Sequence, residues 1–533
     1  MWRGFSVVIV GMAALLPSTR AHSATQRAPQ VHTEYGQVEG VRAGELAIYK
    51  GIRFGASTAG EGRWRPPAPP QRWTGILKAD HFAPGCMQIF FPSTVVRPRP
   101  RYPRSEDCLF LNVWTPARST HDKLAVMVWI YGGGYDIGNP ETPVFDGAAL
   151  ARKGVVVVSV SYRVGLLGFL AHPALSAEDP HHVSGNYGIL DQIASLQWVQ
   201  RNIAAFGGDP QRVTIFGQSA GGISTSILAA SPLAKGLFAR AISQSGGNFG
   251  PPTMPGNRYP GENMTRLRDA EQAGVAVMAG IGATTPEQMR KLSAEAVLGA
   301  DKFDKPPTWP VIDEYVIPGD QYELYAAGKQ NDTPILVGFT SDDAGNLPLS
   351  RVEDYRHYIE KRFGPIAAQV EAAYPVQEDV QVPRAALDLA RDVGFGWHEW
   401  TWARLQSRTG RGKAYVYYFS KRPPYPDLPA FKGLGAIHTA EEPYMFDNLV
   451  LEGYQYTDAD RALAQEMSSY WVNFAKTGDP NGAGLPHWPN FTEAEPSAML
   501  IGDSSQAGRL PDEAGLKALD AYFAWRRTPA GSR

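Results

Sequence analysis

The sequence predicts an α/β fold with a large, mostly parallel central sheet that is flanked by helices and extended by helical cap insertions. Short apolar runs alternate with segments of helical periodicity, which indicates parallel strands joined by helices. One run, VVVVSV at residues 155–160, is apolar on both faces, as is typical of a strand in the middle of such a sheet. The third observation is a serine-bearing turn between a strand and a helix.

The individual elements follow from local pattern. Residues 31–54 contain two strand-like runs with glycine turns, which predict an N-terminal hairpin region. Further strands are predicted at 111–114, 125–131, 155–161, 213–216, 334–338 and 415–419, and sheet-covering helices at 188–202 and 223–230.

The cap insertions are predicted near residues 250–304 and 354–400. Strand-like runs stop after residue 250, and the helical segments 263–278, 286–298 and 354–373 replace them. We expect the first insertion, together with residues near Phe395 and Trp397, to wall the substrate pocket. Because no repeat or low-complexity linker divides the chain, we expect residues 25–533 to form a single domain.

Composition and the N-terminus indicate an exported protein that is soluble once mature. A net charge of −2 and 43% hydrophobic residues give no electrostatic footprint for nucleic acid. Arg3 precedes an apolar run and then small residues, a pattern typical of a signal peptide over residues 1–24. The alternative is a disordered or membrane-anchoring N-terminal segment. We therefore expect a secreted or periplasmic protein without stable membrane insertion.

The only two cysteines, Cys86 and Cys108, fit an exported chain with one disulfide, and two free buried thiols are the alternative. The loop between them carries four arginines, Arg97, Arg99, Arg101 and Arg104.

The serine-bearing turn is the sharpest chemical signal. Residues 213–216 form a strand-like run, Gly217-Gln218-Ser219-Ala220-Gly221 follows, and a helical segment comes next. This order is the strand–turn–helix of a nucleophile elbow, which exposes a serine hydroxyl at the end of a strand. Ser219 is thus the predicted nucleophile, and the helix N-terminus adds donors for an oxyanion.

The remaining catalytic parts are predicted from position. The run Gly132-Gly133-Gly134 follows a strand, so its amides and that of Ala220 can form an oxyanion hole. His438 lies in a glycine-introduced loop after the last predicted strand, where chain order puts the base. For the acid, Asp342 and Asp343 are adjacent, and the pattern alone does not choose between them. No histidine, cysteine or carboxylate cluster suggests a metal, and no cofactor is expected.

These motifs together resemble the type-B carboxylesterases, the esterase and cholinesterase branch of the α/β-hydrolases. The resemblance runs over most of residues 35–489 and includes the nucleophile motif at 206–221, EDCLFLNV at 106–113 and WVNFAKTGDPN at 471–481. It implies an α/β-hydrolase fold and the hydrolysis of small-molecule carboxylic esters.

The resemblance also assigns residues. It implies a triad of Ser219, Asp343 and His438, oxyanion donors at Gly133, Gly134 and Ala220, a Cys86–Cys108 disulfide, and a buried pair between Arg63 and Glu106. Asp343 stands where most relatives have Glu, so Asp342 remains an alternative.

A second departure bears on substrate choice. Gln218 stands where relatives usually carry Glu, which removes a negative charge next to the serine. The cysteine loop also lacks the tryptophan with which cholinesterases hold quaternary ammonium groups, so choline esters are poor candidates.

The prediction is therefore a secreted serine carboxylesterase. Arginines pair well with carboxylates, so one alternative is an esterase for carboxylate-bearing, polycarboxylic esters; a solvated basic loop without a substrate role is the other interpretation of the arginines. A lipase and a non-catalytic binding module are further alternatives. The sequence does not predict the oligomeric state.

Overall fold

The computed structural model describes residues 1–2, 28–89, 102–253, 261–300, 308–344 and 347–532. An 11-stranded sheet crosses the molecule. Its strands, numbered along the chain, are β1 Val41–Ala43, β2 Leu46–Arg53, β3 Phe110–Thr115, β4 Leu124–Ile130, β5 Val156–Val160, β6 Gly208–Gln218, β7 Arg240–Gln244, β8 Ile335–Thr340, β9 Ala414–Phe419, β10 Ala498–Ile501 and β11 Ser505–Gly508.

The strand order across the sheet is β11-β10-β9-β8-β7-β6-β4-β5-β3-β2-β1. Neighbouring strands from β10 through β5 run parallel, whereas the pairs at both edges are antiparallel. The predicted mostly parallel sheet is therefore confirmed, including the fully buried β5. Three of its strands, β7, β10 and β11, were not predicted, because each is only four or five residues long.

The helices flank this sheet. The longer ones are α1 Tyr187–Asn202, α2 Ala220–Ala230, α3 Leu267–Ala279, α4 Val352–Phe363, α5 Val382–Arg391, α6 Trp397–Thr409, α7 Asp458–Thr477 and α8 Glu513–Arg526. Shorter helices cover Ala148–Arg152, Gly165–Phe169, Pro173–Ser176, Pro286–Lys291, Ala294–Ala300, Gln321–Ala326, Ala367–Ala373 and Glu442–Met445.

A separate three-stranded sheet lies near the N-terminus and consists of Gln30–Thr33, Gly36–Glu39 and Ile76–Lys78. The predicted hairpin region at residues 31–54 is thus divided between this sheet and the edge strands β1 and β2. The predicted signal peptide, residues 1–24, lies outside the described residues apart from Met1 and Trp2.

The buried core is continuous across most of the chain. One cluster of buried apolar side chains runs from Tyr35 to Phe523 and contains both faces of the central sheet. A smaller cluster joins the helices of residues 267–300 to Leu166 and Trp64, so these helices pack on the body of the molecule. In the part of the chain that the structure describes, no helix combines the length and apolar character needed to cross a membrane.

Three kinds of contact hold the segment around the two cysteines: a disulfide, a strand pair and an ion pair. Cys86 and Cys108 form a disulfide with a Cα–Cα distance of 4.9 Å. Two short strands, Gly85–Cys86 and Arg104–Ser105, pair in parallel. Arg63 donates two hydrogen bonds to Glu106, at 2.6 Å to Oε2 and 2.5 Å to Oε1, so the pair implied by the resemblance is present.

Candidate active site

The predicted nucleophile occupies the turn between β6 and α2. Ser219 has φ 57° and ψ −127°, a backbone conformation that residues other than glycine rarely adopt. The turn is also crowded: a Cβ added to Gly221 would lie 2.0 Å from the Ile130 carbonyl oxygen, and one added to Gly217 would lie 2.4 Å from the Gly221 carbonyl carbon. These two glycines therefore allow the sharp turn, and the strain is concentrated at the residue that the sequence singled out.

The predicted base and acid meet in a single hydrogen bond. His438 Nδ1 lies 2.5 Å from Asp343 Oδ1, and Asp343 Oδ2 accepts a 3.0 Å hydrogen bond from the Thr340 amide at the end of β8. The Asp343 side chain is fully buried, whereas 13% of the His438 side chain is exposed. The ring of Phe395 stacks on the His438 ring at 4.7 Å, which further restricts its orientation. The buried Asp343 thus holds His438 Nδ1 and fixes the orientation of the imidazole ring.

The neighbouring carboxylate, Asp342, points away and has different partners. Its Oδ2 accepts a 2.6 Å hydrogen bond from the Gly435 amide, and its Oδ1 accepts one from Arg384 at 3.0 Å. Gly435 belongs to the loop that carries His438. Asp342 therefore ties that loop to the end of β8, while Asp343 contacts the imidazole itself.

The predicted oxyanion donors lie on two elements that converge at Ser219. Gly133 and Gly134 follow β4 with φ 124° and 65°, and Ala220 is the first residue of α2. A Cβ at Gly133 would lie 2.2 Å from the Ile137 carbonyl oxygen, so glycine is required there. Among the described residues, the amides of Gly133 and Gly134 donate to no protein acceptor. Both amides are therefore available to an oxygen bound next to Ser219.

A cavity of about 460 Å³ opens over these groups, and Ser219, His438, Gly133 and Gly134 all line it. Its other walls come from residues 88–89, 102–104, 137–145 and 423–456, which are mostly irregular chain. The expectation that residues 250–304 would wall the pocket is wrong for the described part of that segment, because its helices pack instead on the separate cluster near Leu166. Phe395 reaches the site by stacking on His438, whereas Trp397 is buried against Phe523.

Gln218 contacts the predicted base directly. Its side chain is almost completely buried, and its Nε2 lies 3.3 Å from His438 Nε2 and 3.4 Å from His438 Nδ1. The amide therefore lies against the ring, where a glutamate would introduce a negative charge. This departure from the family pattern thus lies within the site.

Two buried glutamates near Asp343 were missed by the sequence reasoning. Glu399 Oε1 accepts hydrogen bonds from Ser243 Oγ at 2.6 Å and from the Gly246 amide at 2.7 Å, and burial, with the charge of Asp343, raises the pKa of this carboxyl. Burial and the charges of Asp343 and Glu442 likewise raise the pKa of Glu441. A signal for Glu399 existed, because it lies within the tryptophan-rich run WHEWTW at residues 397–402, and large aromatic side chains so close together indicate a buried segment.

The remaining predictions concern metals and the arginine loop. The described residues contain no group of three or more His, Cys, Asp or Glu side chains that could hold a metal ion. Arg104 lines the cavity, whereas Arg97, Arg99 and Arg101 lie outside the described residues.

The fold and this constellation define an α/β-hydrolase, and comparison with known proteins gives the family. Residues 27–518 match the model of the carboxylesterase family, so the chain belongs to this family of carboxylic-ester hydrolases. It is 39% identical over 497 residues to the fumonisin B1 esterase of Sphingopyxis macrogoltabida, covering 90% of this chain and 87% of that protein.

Other relatives agree. The chain is 33% identical over 499 residues to the para-nitrobenzyl esterase of Bacillus subtilis (strain 168), covering 88% of this chain and 94% of that protein. Among solved structures, a PNB esterase superposes with a TM-score of 0.78 at 30% identity, covering 92% of this chain and 99% of the other.

Proposed function

We propose that the protein is a secreted or periplasmic serine carboxylesterase that works through an acyl-enzyme intermediate. Ser219 is the nucleophile, His438 the general base, and Asp343 the acid that orients it. The observation that carries this proposal is the 2.5 Å contact between His438 Nδ1 and Asp343 Oδ1, behind a cavity that Ser219 and His438 both line. Catalysis needs this sequence of nucleophile, base and orienting carboxylate.

The same residues act in both halves of the reaction, the acylation of Ser219 and the hydrolysis of the acyl-enzyme. With Nδ1 held by Asp343, His438 takes the Ser219 proton on Nε2 as the serine oxygen attacks the ester carbonyl carbon. The oxyanion accepts hydrogen bonds from the amides of Gly133, Gly134 and Ala220. His438 then donates its proton to the departing alcohol, and water repeats the sequence to release the acid.

Asp343 suits the acid role better than Asp342. The Asp342 oxygens accept hydrogen bonds from Gly435 and Arg384, whereas Asp343 uses one oxygen for His438. Asp is one methylene shorter than the usual Glu, yet Asp343 Oδ1 reaches His438 Nδ1 at 2.5 Å. The Asp342–Gly435 hydrogen bond ties the loop that carries His438 to the end of β8.

Export is supported by two features, the signal-like residues 1–24 and the disulfide between Cys86 and Cys108, which persists in an oxidising compartment. The test is to express the full chain and a chain without residues 1–24 and to compare their locations and masses. Loss of about 24 residues from the released full chain supports export. An uncleaved chain in the membrane fraction supports the anchoring alternative.

The catalytic proposal is tested with p-nitrophenyl esters from acetate to palmitate. We expect Ser219→Ala to abolish hydrolysis, whereas Ser350→Ala, at an exposed position, leaves it unchanged. Diethyl p-nitrophenyl phosphate should inactivate the wild type and add one phosphoryl group to the peptide that contains Ser219. Hydrolysis that persists in Ser219→Ala, or a label on another serine, contradicts the proposal.

A further inference from the structure

The side chain of Gln88 is hydrogen-bonded to the segment that carries two of the oxyanion donors. Its Oε1 accepts a 3.0 Å hydrogen bond from the Gly138 amide, and its Nε2 donates to the Gly138 carbonyl oxygen at 2.8 Å. Nε2 also donates to the Cys86 carbonyl oxygen at 3.0 Å. Only 7% of Gln88 is exposed. The side-chain amide therefore pairs with both backbone groups of Gly138, as the backbone of an antiparallel strand would.

One of these hydrogen bonds fixes the peptide group that packs against Gly133. The Gly138 N–H and the Ile137 carbonyl belong to the same planar peptide group and point in opposite directions. The Ile137 carbonyl oxygen lies so close to Gly133 that a Cβ added there would approach it to 2.2 Å. The Gly133 carbonyl oxygen in turn accepts hydrogen bonds from the amides of Asp136 and Ile137 at 3.1 and 3.2 Å. The orientation of the peptide held by Gln88 thus sets the position of Gly133.

The backbone of Gln88 is itself anchored to the body of the molecule. Shortly before it, Cys86 forms the disulfide with Cys108, which lies just ahead of β3 in the central sheet. The Gln88 carbonyl oxygen accepts a 3.0 Å hydrogen bond from Arg104 Nη1. Gln88 is therefore a fixed point to which the segment 133–138 is attached.

We propose that Gln88 is a positioning residue of the oxyanion hole, which keeps the amides of Gly133 and Gly134 directed at an oxyanion bound to Ser219. The proposal rests on the serine esterase function given above and adds a residue to it. Gln88 acts through Gly138 and takes no part in proton transfer or bond cleavage. Although Gln88 lines the cavity, its amide group is bonded to Gly138, so it stabilises the transition state of every ester alike.

The test replaces Gln88 by methionine, which is of similar size but cannot pair with Gly138. We expect Gln88→Met to lower kcat by about 10- to 100-fold on p-nitrophenyl acetate and on longer esters, with KM within about threefold, because a misdirected amide stabilises the oxyanion less while ground-state binding is kept. The acidic limb of the kcat/KM profile should stay in place, since the lost hydrogen bonds lie on the oxyanion side and not at His438.

A pair of inhibitors separates misdirected amides from a general loss of structure. With octyl trifluoromethyl ketone, Ser219 Oγ adds to the carbonyl carbon, the carbonyl oxygen becomes an oxyanion, and the serine proton passes to His438. Octyl methyl ketone binds largely without this addition. Gln88→Met should therefore weaken the trifluoromethyl ketone by about the same factor as kcat, and the methyl ketone by less than about twofold.

Gln406→Met is the matched control for lost stability. Gln406 is 1% exposed, and its Nε2 donates to Asp332 Oδ1 at 2.7 Å and to the Gly412 carbonyl oxygen at 3.0 Å. These partners precede β8 and β9, whose opposite ends face the site. This variant should unfold at a lower temperature but keep kcat and both inhibition constants within about twofold.

Gln88→Asn, which keeps the amide on a shorter side chain, provides the same comparison should the methionine variant not fold. Equal weakening of both ketones, an unchanged kcat, or the same selective loss in Gln406→Met overturns the proposal and leaves the esterase function intact. A wild type without hydrolysis that depends on Ser219 refutes the esterase function itself.

Discussion

The two sides of His438 are built in different ways. On the sheet side, Asp343, Glu399 and Glu441 are fully buried and lie by the ends of β7 and β8. On the cavity side, the walls are mostly irregular segments with tyrosines, glycines and Arg104. The buried carboxyl groups thus lie on or next to regular strands and helices, whereas the segments that face the substrate are mostly irregular. Changes on the sheet side should consequently affect all esters alike, whereas changes on the cavity side should distinguish between esters.

The largest effect is expected at the sheet-side acid. Asp343→Asn removes the carboxylate that orients His438 and stabilises its protonated form, so kcat should fall by roughly a thousand- to ten-thousand-fold on every ester. Asp342→Asn is the matched control, because the same change one residue earlier disturbs only the loop contacts to Gly435 and Arg384. Its activity should fall less than about tenfold, with a lower unfolding midpoint. Comparable losses of kcat in the two variants would refute the assignment of the acid.

A smaller loss is expected at the oxyanion hole. Gly133→Ala would bring a Cβ within 2.2 Å of the Ile137 carbonyl oxygen and displace the amide. We expect a loss of about 100- to 1000-fold in kcat, equal for acetate and longer esters. Gly134→Ala is the control, because its Cβ would meet nothing closer than 3.9 Å. If the Gly134 variant loses as much as the Gly133 variant, backbone strain rather than amide displacement explains both.

Gln218 lies at the boundary between the two sides, because it contacts His438 and also lines the cavity. A charge introduced at this position should therefore affect both the protonation of His438 and the choice of substrate. Gln218→Glu would place a carboxylate about 3.3 Å from His438 Nε2 and favour the protonated ring. The acidic limb of the kcat/KM profile should then move up by about one pH unit for all esters. The same variant should disfavour anionic relative to neutral esters. Gln218→Met, which is neutral and of similar size, should leave the limb in place.

The sequence predicts the two sides unequally well. The turn at Ser219 requires glycine at positions 217 and 221, and because these positions lie within five residues of each other, the requirement is visible as a motif even though Ile130, which crowds Gly221, is distant in the chain. The choice between Asp342 and Asp343 depends on contacts with Gly435 and Arg384, which are distant in the chain, so local pattern leaves it open. The cavity walls at residues 423–456 have no periodicity, and the prediction therefore placed the walls in the helical residues 250–304 instead.

The smallest effect is expected at Glu399 on the sheet side, and it concerns the free energy of unfolding rather than the rate of hydrolysis. Burial raises the pKa of Glu399 in the folded protein, helped by the charge of Asp343, so the folded carboxyl stays neutral where the unfolded one ionises. The stability contributed by the neutral form is complete below the ordinary pKa of glutamate. It is lost as the pH rises towards the raised folded value, at about 1.4 kcal/mol per pH unit.

Glu399→Gln cannot ionise in either state, and its amide oxygen can still accept the hydrogen bonds of Ser243 and Gly246. Between about pH 5 and pH 7, its unfolding free energy should therefore fall less steeply than that of the wild type, while kcat stays within about threefold. Urea unfolding at several pH values measures this, with the exposed Glu452→Gln as control. A variant whose stability follows the wild-type pH dependence would mean that burial does not raise the pKa of Glu399 in the folded protein.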